Sequence, residues 1–207
     1  MPANPFTKAT YVLNAHRLDQ LPADTGLEVA FAGRSNAGKS SAINALTRRR
    51  ALARTSKTPG RTQQIVIFEL DEDHRLADLP GYGYAKVPEK LRDHWKKIMR
   101  DYFHQRSSLA GVVLIMDVRH PLKPFDIQML EWCDAFNVPC HVLLTKVDKL
   151  KRGPACSTLL KVEKMLPEST SIQLFSAKTR AGVDELVKRL CGWLEISQSK
   201  VENRSHE

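Results

Sequence analysis

The chain has 207 residues, enough for one domain with a buried core, and its 42% hydrophobic and 27% charged residues are an ordinary balance for a globular protein. Lys and Arg outnumber Asp and Glu by 32 to 23, and the resulting formal charge of +9 favours a polyanionic partner, either nucleic acid or an anionic membrane surface. The spacing of the four cysteines fits neither a zinc site nor a disulfide framework, and the sequence has no signal-peptide core and no bilayer-length apolar run. We therefore expect a cytoplasmic protein with reduced thiols and no membrane insertion.

Strands and helices are predicted to alternate along the chain. Residues 1–23 are interpreted as an N-terminal arm, residues 24–195 as the domain, and the polar residues 196–207 as a disordered tail. The predicted elements are a strand at 28–32, a helix at 39–47, a hairpin at 64–79, a helix at 89–106, a strand at 111–117, a helix at 125–136, a strand at 139–145, a helix at 155–165, a strand at 172–175 and a helix at 183–194. This alternation favours an α/β fold with a mostly parallel sheet covered on both faces.

A phosphate-binding loop is predicted between the first strand and the first helix. Eight consecutive residues match the pattern G-x-x-x-x-G-K-[ST], namely Gly33, Arg34, Ser35, Asn36, Ala37, Gly38, Lys39 and Ser40. Glycines let the backbone wrap around phosphates, and amides at a helix N-terminus point at the anion. Lys39 is expected to reach the β- and γ-phosphates, and Ser40 to place its hydroxyl on Mg²⁺. The flanking strand and helix argue against a Gly-rich turn without a ligand.

A second metal-binding segment is predicted at the end of the hairpin, in Asp78, Leu79, Pro80 and Gly81. By itself this tetrapeptide is an ordinary turn. It stands 38 residues after Ser40 and beyond a hairpin, which is where P-loop NTPases carry such a segment. Asp78 is expected to hold Mg²⁺ through water, and the Gly81 amide to contact the γ-phosphate.

Two later segments, each at the end of a predicted strand, indicate guanine recognition. They are Thr145, Lys146, Val147 and Asp148, and then Ser176, Ala177 and Lys178 after Phe175. Guanine presents N1–H and an N2 amino group that one carboxylate accepts together, and adenine has no such pair, so Asp148 would select the base. Lys146 and Lys178 would lie on the two faces of the base, and the Ala177 amide would donate to O6.

In this order the segments resemble those of TRAFAC-class translational GTPases. More narrowly, AFAGRSNAGKSSAIN (30–44), RTSKTPGRTQ (54–63), DLPGYGYAKVP (78–88) and DVRHPLK (117–123) are similar to the EngB (YihA/YsxC) family of bacterial ribosome-biogenesis GTPases. The resemblance implies a three-layer P-loop NTPase G domain with a six-stranded sheet and about five helices. It also implies GTP hydrolysis to GDP with Mg²⁺, a role in maturation of the large ribosomal subunit, and a requirement in normal cell division and septation.

The resemblance further implies that Thr62 is the switch I threonine, which adds its hydroxyl to Mg²⁺ and its amide to the γ-phosphate. The predicted nucleotide contacts are completed by Gly60, Arg61, Gln63, Gln64 and Phe175.

Hydrolysis is expected to be slow, because Tyr82 stands where Ras-like proteins carry a water-orienting Gln. Asn36 matches the asparagine through which some related GTPases hold K⁺ beside the phosphates, and it equally suits a residue that stabilises the turn. Both interpretations stay open. The predicted catalytic residues are Lys39, Thr62, Gly81 and Asn36.

Six basic residues occupy fourteen positions without an acid: Arg48, Arg49, Arg50, Arg54, Lys57 and Arg61. We expect this cluster to face RNA phosphates, whereas a second stripe of Arg92, Lys96 and Arg100 is interpreted as a solvated helix face. The expected function is a monomeric, GTP-switched assembly factor for the large ribosomal subunit. The alternative is a regulatory GTPase that acts on protein partners at the septum without binding RNA.

Overall fold

The computed structural model describes residues 4–53, 64–82 and 89–197, without the side chains of residues 89–92 and 94. Several predicted functional residues lie outside these described residues: Arg54, Lys57, Gly60, Arg61, Thr62 and Gln63, together with the side chain of Arg92. Most of the predicted tail, residues 198–207, also lies outside them.

Seven strands and five α-helices form within the described ranges. They are β1 (Thr10–Ala15), β2 (Leu27–Gly33), α1 (Lys39–Thr47), β3 (Ile65–Glu69), β4 (His74–Asp78), α2 (Glu89–Gln105), β5 (Leu109–Asp117), α3 (Pro124–Ala135), β6 (Cys140–Thr145), α4 (Arg152–Glu163), β7 (Ser171–Leu174) and α5 (Val183–Trp193). The predicted alternation of strands and helices is confirmed. Among these helices, none has both the length and the apolar character that crossing a bilayer requires.

All strands belong to one sheet with the order β1-β3-β4-β2-β5-β6-β7. β2 pairs in parallel with β4 and β5, and β6 pairs in parallel with β5 and β7. β3 runs antiparallel to both β4 and β1. The carboxyl ends of the five parallel strands therefore meet at one edge of the sheet, which is where open α/β sheets bind ligands.

Two apolar layers cover the sheet, and β2 shows why. Its side chains alternate, so that Val29 and Phe31 enter one core and Ala30 and Ala32 enter the other. The first core is completed by residues of α1 and α5, namely Ile43, Leu46, Leu186 and Leu190, and the second by residues of α2 and α3, namely Met99, Tyr102, Met129 and Leu130. Apart from Glu28, whose buried carboxylate accepts from Tyr102 and Arg106, β2 is apolar because both of its faces are buried.

The expectation of six strands is wrong, because the segment interpreted as an N-terminal arm contributes β1. This edge strand pairs with β3, and Ala15 at its end is its buried residue. Upstream of it, Phe6 is fully buried in the first core, and the Asn4 side-chain amide donates to the Leu46 carbonyl over 2.7 Å. The other residues of β1 are exposed or partly exposed, including the apolar Tyr11 and Val12.

A buried histidine links the last two strands of the sheet. His141 is 1% exposed, and its Nε2 lies 2.9 Å from Gln173 Oε1 while its Nδ1 lies 2.8 Å from the Ser171 hydroxyl. Gln173 donates through its amide nitrogen to the Gly182 carbonyl, so its oxygen must face the imidazole. Burial is the main cause that lowers the pKa of His141 to about 4; the bond to Gln173 opposes this shift, and the positive charge of Arg189 reinforces it.

We predict that protonation of His141 makes the fold acid-sensitive. Between pH 6.5 and about 4 the unfolded chain takes up a proton that the folded protein rejects, so the stabilising contribution is present above pH 6.5 and is lost as the pH falls. The loss amounts to about 3 kcal/mol by pH 4. In His141→Gln, the free energy of unfolding measured with denaturant should fall less between pH 7 and pH 4 than it does in the parent protein. An equal pH dependence for both proteins would contradict this assignment.

Candidate functional site

The loop from Gly33 to Ser40, called the P-loop below, joins β2 to α1 at the carboxyl edge of the sheet. Gly33 packs so tightly on β5 that an added Cβ would lie 2.8 Å from both the Cβ and the carbonyl oxygen of Ile115. Gly38 has a φ of +110°, which favours glycine, and Asn36 has a φ of 62°, a conformation that asparagine tolerates better than most residues. The loop geometry therefore accounts for three of its eight residue types.

Two side chains from the end of β6 hold the P-loop carbonyls. The Thr145 hydroxyl lies 2.5 Å from the Ala37 carbonyl, and the Lys146 ammonium donates to the Asn36 carbonyl over 2.5 Å. Within the loop, the Ser35 and Ala37 amides donate to the Tyr82 and Arg34 carbonyls, and the first N–H groups of a helix have no acceptor within the helix. The arrangement is suited to cradle an anion at the start of α1.

Lys39 and Asp78, at the start of α1 and the end of β4, form an ion pair across the P-loop. Their side chains are 13% and 10% exposed, so each charge neutralises the other in a mostly buried place. A phosphate would give the ammonium a new partner, and a metal ion would do the same for the carboxylate.

The donor set near Asp78 fits Mg²⁺. This ion prefers oxygen ligands, and it commonly keeps several waters and is held by one or two protein oxygens together with phosphate. Ser40 and Asp78 supply such oxygens, and no group of three His, Cys, Asp or Glu residues that could cage an ion occurs in the part of the chain that the structure describes.

A cavity of about 390 Å³ adjoins the P-loop on the side of β6 and β7. Its lining includes Gly38 of the P-loop, Phe175, and most of the residues predicted to recognise guanine: Thr145, Lys146, Asp148, Ala177 and Lys178. Val147 begins a short 3₁₀ turn, and its amide donates to the Phe175 carbonyl, which joins the two predicted segments. The structure thus brings the two segments and the P-loop together.

Ser176, predicted as a nucleotide contact, is fully buried and acts on Asp148. Its hydroxyl donates to Asp148 Oδ1 over 2.6 Å and accepts from the Thr179 amide. The hydrogen bond from Ser176 is the main cause that lowers the pKa of Asp148 below its ordinary value. Asp148 is therefore an ionised acceptor at neutral pH, as base selection requires.

Gln64 lies at the same edge but apart from the P-loop. Its side-chain nitrogen is 2.5 Å from His16 Nε2, just beyond β1. Together with Asp78 and Arg49 it lines a separate cavity of about 760 Å³.

The segment after Asp78 turns inward. Tyr82 is 3% exposed, its hydroxyl donates to Asp126 Oδ1 over 2.8 Å, and its ring lies 5.3 Å from that of Trp95 and 5.9 Å from that of Phe125. Burial, with the charge of Asp126, raises the pKa of Tyr82 well above its ordinary value. Tyr82 therefore belongs to the core.

The other residues of this neighbourhood also lie near the P-loop. Leu79 is buried, and the Pro80 carbonyl accepts from the Trp95 indole over 3.2 Å. Gly81 faces Ser35, and Arg34 forms an isolated bridge with Tyr82.

Sequence reasoning assigned no role to Asp117 and Arg119, which belong to the site. Asp117 ends β5 beside Thr145, and it forms ion pairs with Lys146 at 3.0 Å and with Arg119 at 2.6 Å. An acidic residue at the carboxyl end of a buried parallel strand is the signal that could have identified it.

A P-loop at the strand edge, with a carboxylate beside it and a cavity lined by Asp148 and two lysines, defines a P-loop GTPase. A family model described as "50S ribosome-binding GTPase" matches residues 28–146. The chain is 52% identical to "Probable GTP-binding protein EngB" of Xylella fastidiosa over 95% of this chain and 98% of that one. It is 55% identical to the protein of the same description from Xanthomonas oryzae pv. oryzae, over 91% of this chain and 93% of that one. The chain belongs to the EngB family of GTP-binding proteins.

Solved structures agree on the fold. A structure described as a probable GTP-binding protein engB superposes with a TM-score of 0.67 at 23% identity, covering 82% of this chain and all of that one. Era in complex with MgGDPNP and nucleotides 1506–1542 of 16S ribosomal RNA gives a TM-score of 0.63 at 21% identity, covering 87% of this chain and 61% of that one. At these identities the likeness shows the fold alone.

Proposed function

We propose that this GTPase binds Mg²⁺ and GTP at the carboxyl edge of the sheet and acts in the cytoplasm, as a monomer, as a GTP-switched assembly factor for the large ribosomal subunit. The observation that carries the proposal is the convergence of the P-loop, the Lys39–Asp78 pair and the Asp148 cavity at that edge. The family model's description as a ribosome-binding GTPase supports the choice of partner. A role in cell division and septation follows from the family resemblance and is proposed with it.

In this proposal the P-loop amides and Lys39 bind the phosphates, and Asp148 accepts the two guanine donors. Lys146 and Lys178 flank the base, the Ala177 amide donates to O6, and Phe175 closes the cavity wall. Because Lys39 and Asp78 neutralise each other, a phosphate and a cation arriving together would exchange partners with them without leaving an unpaired charge.

Mg²⁺ is proposed to bind through Ser40, Thr62 and, by way of water, Asp78, and when bound it would neutralise negative charge on the phosphates. The amides of Thr62 and Gly81 are proposed to contact the γ-phosphate. Gly60, Arg61, Gln63 and Gln64 are proposed as the remaining contacts around it.

Hydrolysis is proposed to be slow, because Tyr82 is held in the core and no amide stands in its place to orient water. The missing positive charge would come from K⁺ held by Asn36, from the ribosomal partner or, as the third-ranked alternative, from Arg61 of the same chain. The backbone carbonyl of Asn36 accepts a hydrogen bond from Lys146, so the side-chain amide of Asn36 is the group proposed to hold K⁺.

The ribosome-facing surface is proposed to include Arg48, Arg49 and Arg50, which are all exposed. They lie in a turn that Asn44 holds by accepting from the Ala53 amide at 2.8 Å and donating to its carbonyl at 2.9 Å. The turn presents three positive charges from a fixed backbone. A GTPase acting on protein partners at the septum is the rival function.

Guanine selection is tested with Asp148→Asn. The new side chain can still accept the Ser176 hydrogen bond, so the fold should survive, while one guanine donor loses its acceptor. GTP affinity should fall at least a hundredfold and xanthine nucleotide affinity should rise, because xanthine presents an acceptor where guanine has an amino group. Titration with both nucleotides measures this. Unchanged GTP affinity would mean that the base binds elsewhere.

The K⁺ hypothesis is tested with Asn36→Gly, which removes the amide and still allows the φ of 62° at this position. Turnover is measured in KCl and NaCl at matched ionic strength, with and without large ribosomal subunits. Stimulation by KCl in the parent that disappears in the variant supports K⁺. If KCl and NaCl give equal rates and only subunits accelerate hydrolysis, the ribosome is the activator and Asn36 serves the turn.

Ribosome binding is tested by sedimentation with purified large subunits and a non-hydrolysable GTP analogue over a salt series. Replacing Arg48, Arg49 and Arg50 by Gln should flatten the slope of log affinity against log salt by roughly two to three units. The matched control replaces three exposed lysines, Lys151, Lys161 and Lys164, at or near α4. Equal flattening by both triples would indicate a net-charge effect, and failure of the parent to sediment with subunits would favour the rival function.

A further inference from the structure

The carboxylate of Asp117, the last residue of β5, contacts both Arg119 and Lys146. Its Oδ1 accepts from the backbone amide of Arg119 at 3.0 Å and from Arg119 Nε at 2.9 Å, and its Oδ2 accepts from Arg119 Nη2 at 2.6 Å. The same Oδ2 lies 3.0 Å from the Lys146 ammonium. Partial burial would raise the pKa of Asp117, but the hydrogen bonds from Arg119 and Lys146 outweigh it and hold that pKa below its ordinary range.

Lys146 is the residue that this carboxylate restrains. Its ammonium bridges the Asp117 carboxylate and the Asn36 carbonyl, and its stem lines the 390 Å³ cavity. The backbone at Lys146 is left-handed, with a φ of 63°. The side chain is 31% exposed, so without a partner it would sample many rotamers in solvent.

We propose that Asp117 is a positioning residue for the nucleotide: clamped by Arg119, it holds Lys146 between the P-loop and the base cavity. This inference rests on the proposed function, in which Lys146 lies against the guanine. A pre-positioned lysine binds the nucleotide without first losing rotamer freedom. Asp117 itself does not contact the nucleotide, and it acts through Lys146.

Three consequences distinguish positioning from a purely structural role. Loss of the Asp117 carboxylate should weaken the binding of GDP and of GTP equally, because the base and ribose are common to both. Base selectivity should be unchanged, because Asp148 still faces the cavity. The loss should depend on the Lys146 ammonium, so it should vanish where that ammonium is absent.

The experiment is a double-mutant cycle of Asp117→Asn and Lys146→Met, read by equilibrium binding and dissociation of fluorescent GDP and GTP analogues. Methionine keeps an apolar stem and removes the charge. Asp117→Asn alone should weaken both nucleotides roughly tenfold, mainly through faster dissociation, and should add less than about twofold in the Lys146→Met background. Asp134→Asn, an exposed acid on α3, is the charge-matched control and should have no effect.

An equal loss from Asp117→Asn in both backgrounds, or no loss in the parent background, would overturn the proposal. If Asp117→Asn does not fold, Arg119→Gln loosens the same clamp, and its smaller loss of roughly threefold should also vanish in the Lys146→Met background. Failure of the proposed function looks different: Lys146→Met and Asp148→Asn would then both leave GDP affinity unchanged.

Discussion

The carbonyls of a P-loop need hydrogen-bond partners, and the side chains that supply them organise the site. Here the partners come from the end of β6, where the Thr145 hydroxyl meets the Ala37 carbonyl and the Lys146 ammonium meets the Asn36 carbonyl. The first two residues of the Thr145–Asp148 segment therefore support the P-loop. Asp148, the last residue of the segment, lines the cavity, so one segment joins the P-loop to the cavity.

Two lysine–carboxylate pairs flank the P-loop and differ in what a ligand would do to them. Lys39 and Asp78 pair across the start of α1, where a phosphate would bind Lys39 and a cation would bind Asp78. Lys146 and Asp117 pair on the side of the base cavity, and Arg119 holds the carboxylate in place. Asp117 thus pairs with two cations, so a ligand that drew Lys146 away would still leave it paired with Arg119.

The sequence predicted the inner sheet well because β2, β5 and β6 are buried on both faces and are therefore mostly apolar. The P-loop and the segments 145–148 and 176–178 were predictable because each follows a parallel strand, and the carboxyl ends of parallel strands lie at the same edge of the sheet. β1 was missed because five of its six residues are not buried. Asp117 was missed because its ion pair with Lys146 joins residues far apart along the chain, and its place at the end of a buried parallel strand is the one local signal for it.

Tyr82 shows how the position after Gly81 is tied to the rest of the molecule. Its hydroxyl binds Asp126 in α3, its ring packs on Trp95 in α2, and that indole in turn donates to the Pro80 carbonyl. Burial raises the pKa of Asp126, with hydrogen bonds from Lys123 and Tyr82 opposing the shift, so the Tyr82–Asp126 contact is polar and enclosed. Breaking it would leave a buried acceptor without its donor, which is costly. Residues 80–82 are therefore tied to α2 through the Trp95 indole and to α3 through the Asp126 carboxylate, so their backbone position depends on both helices.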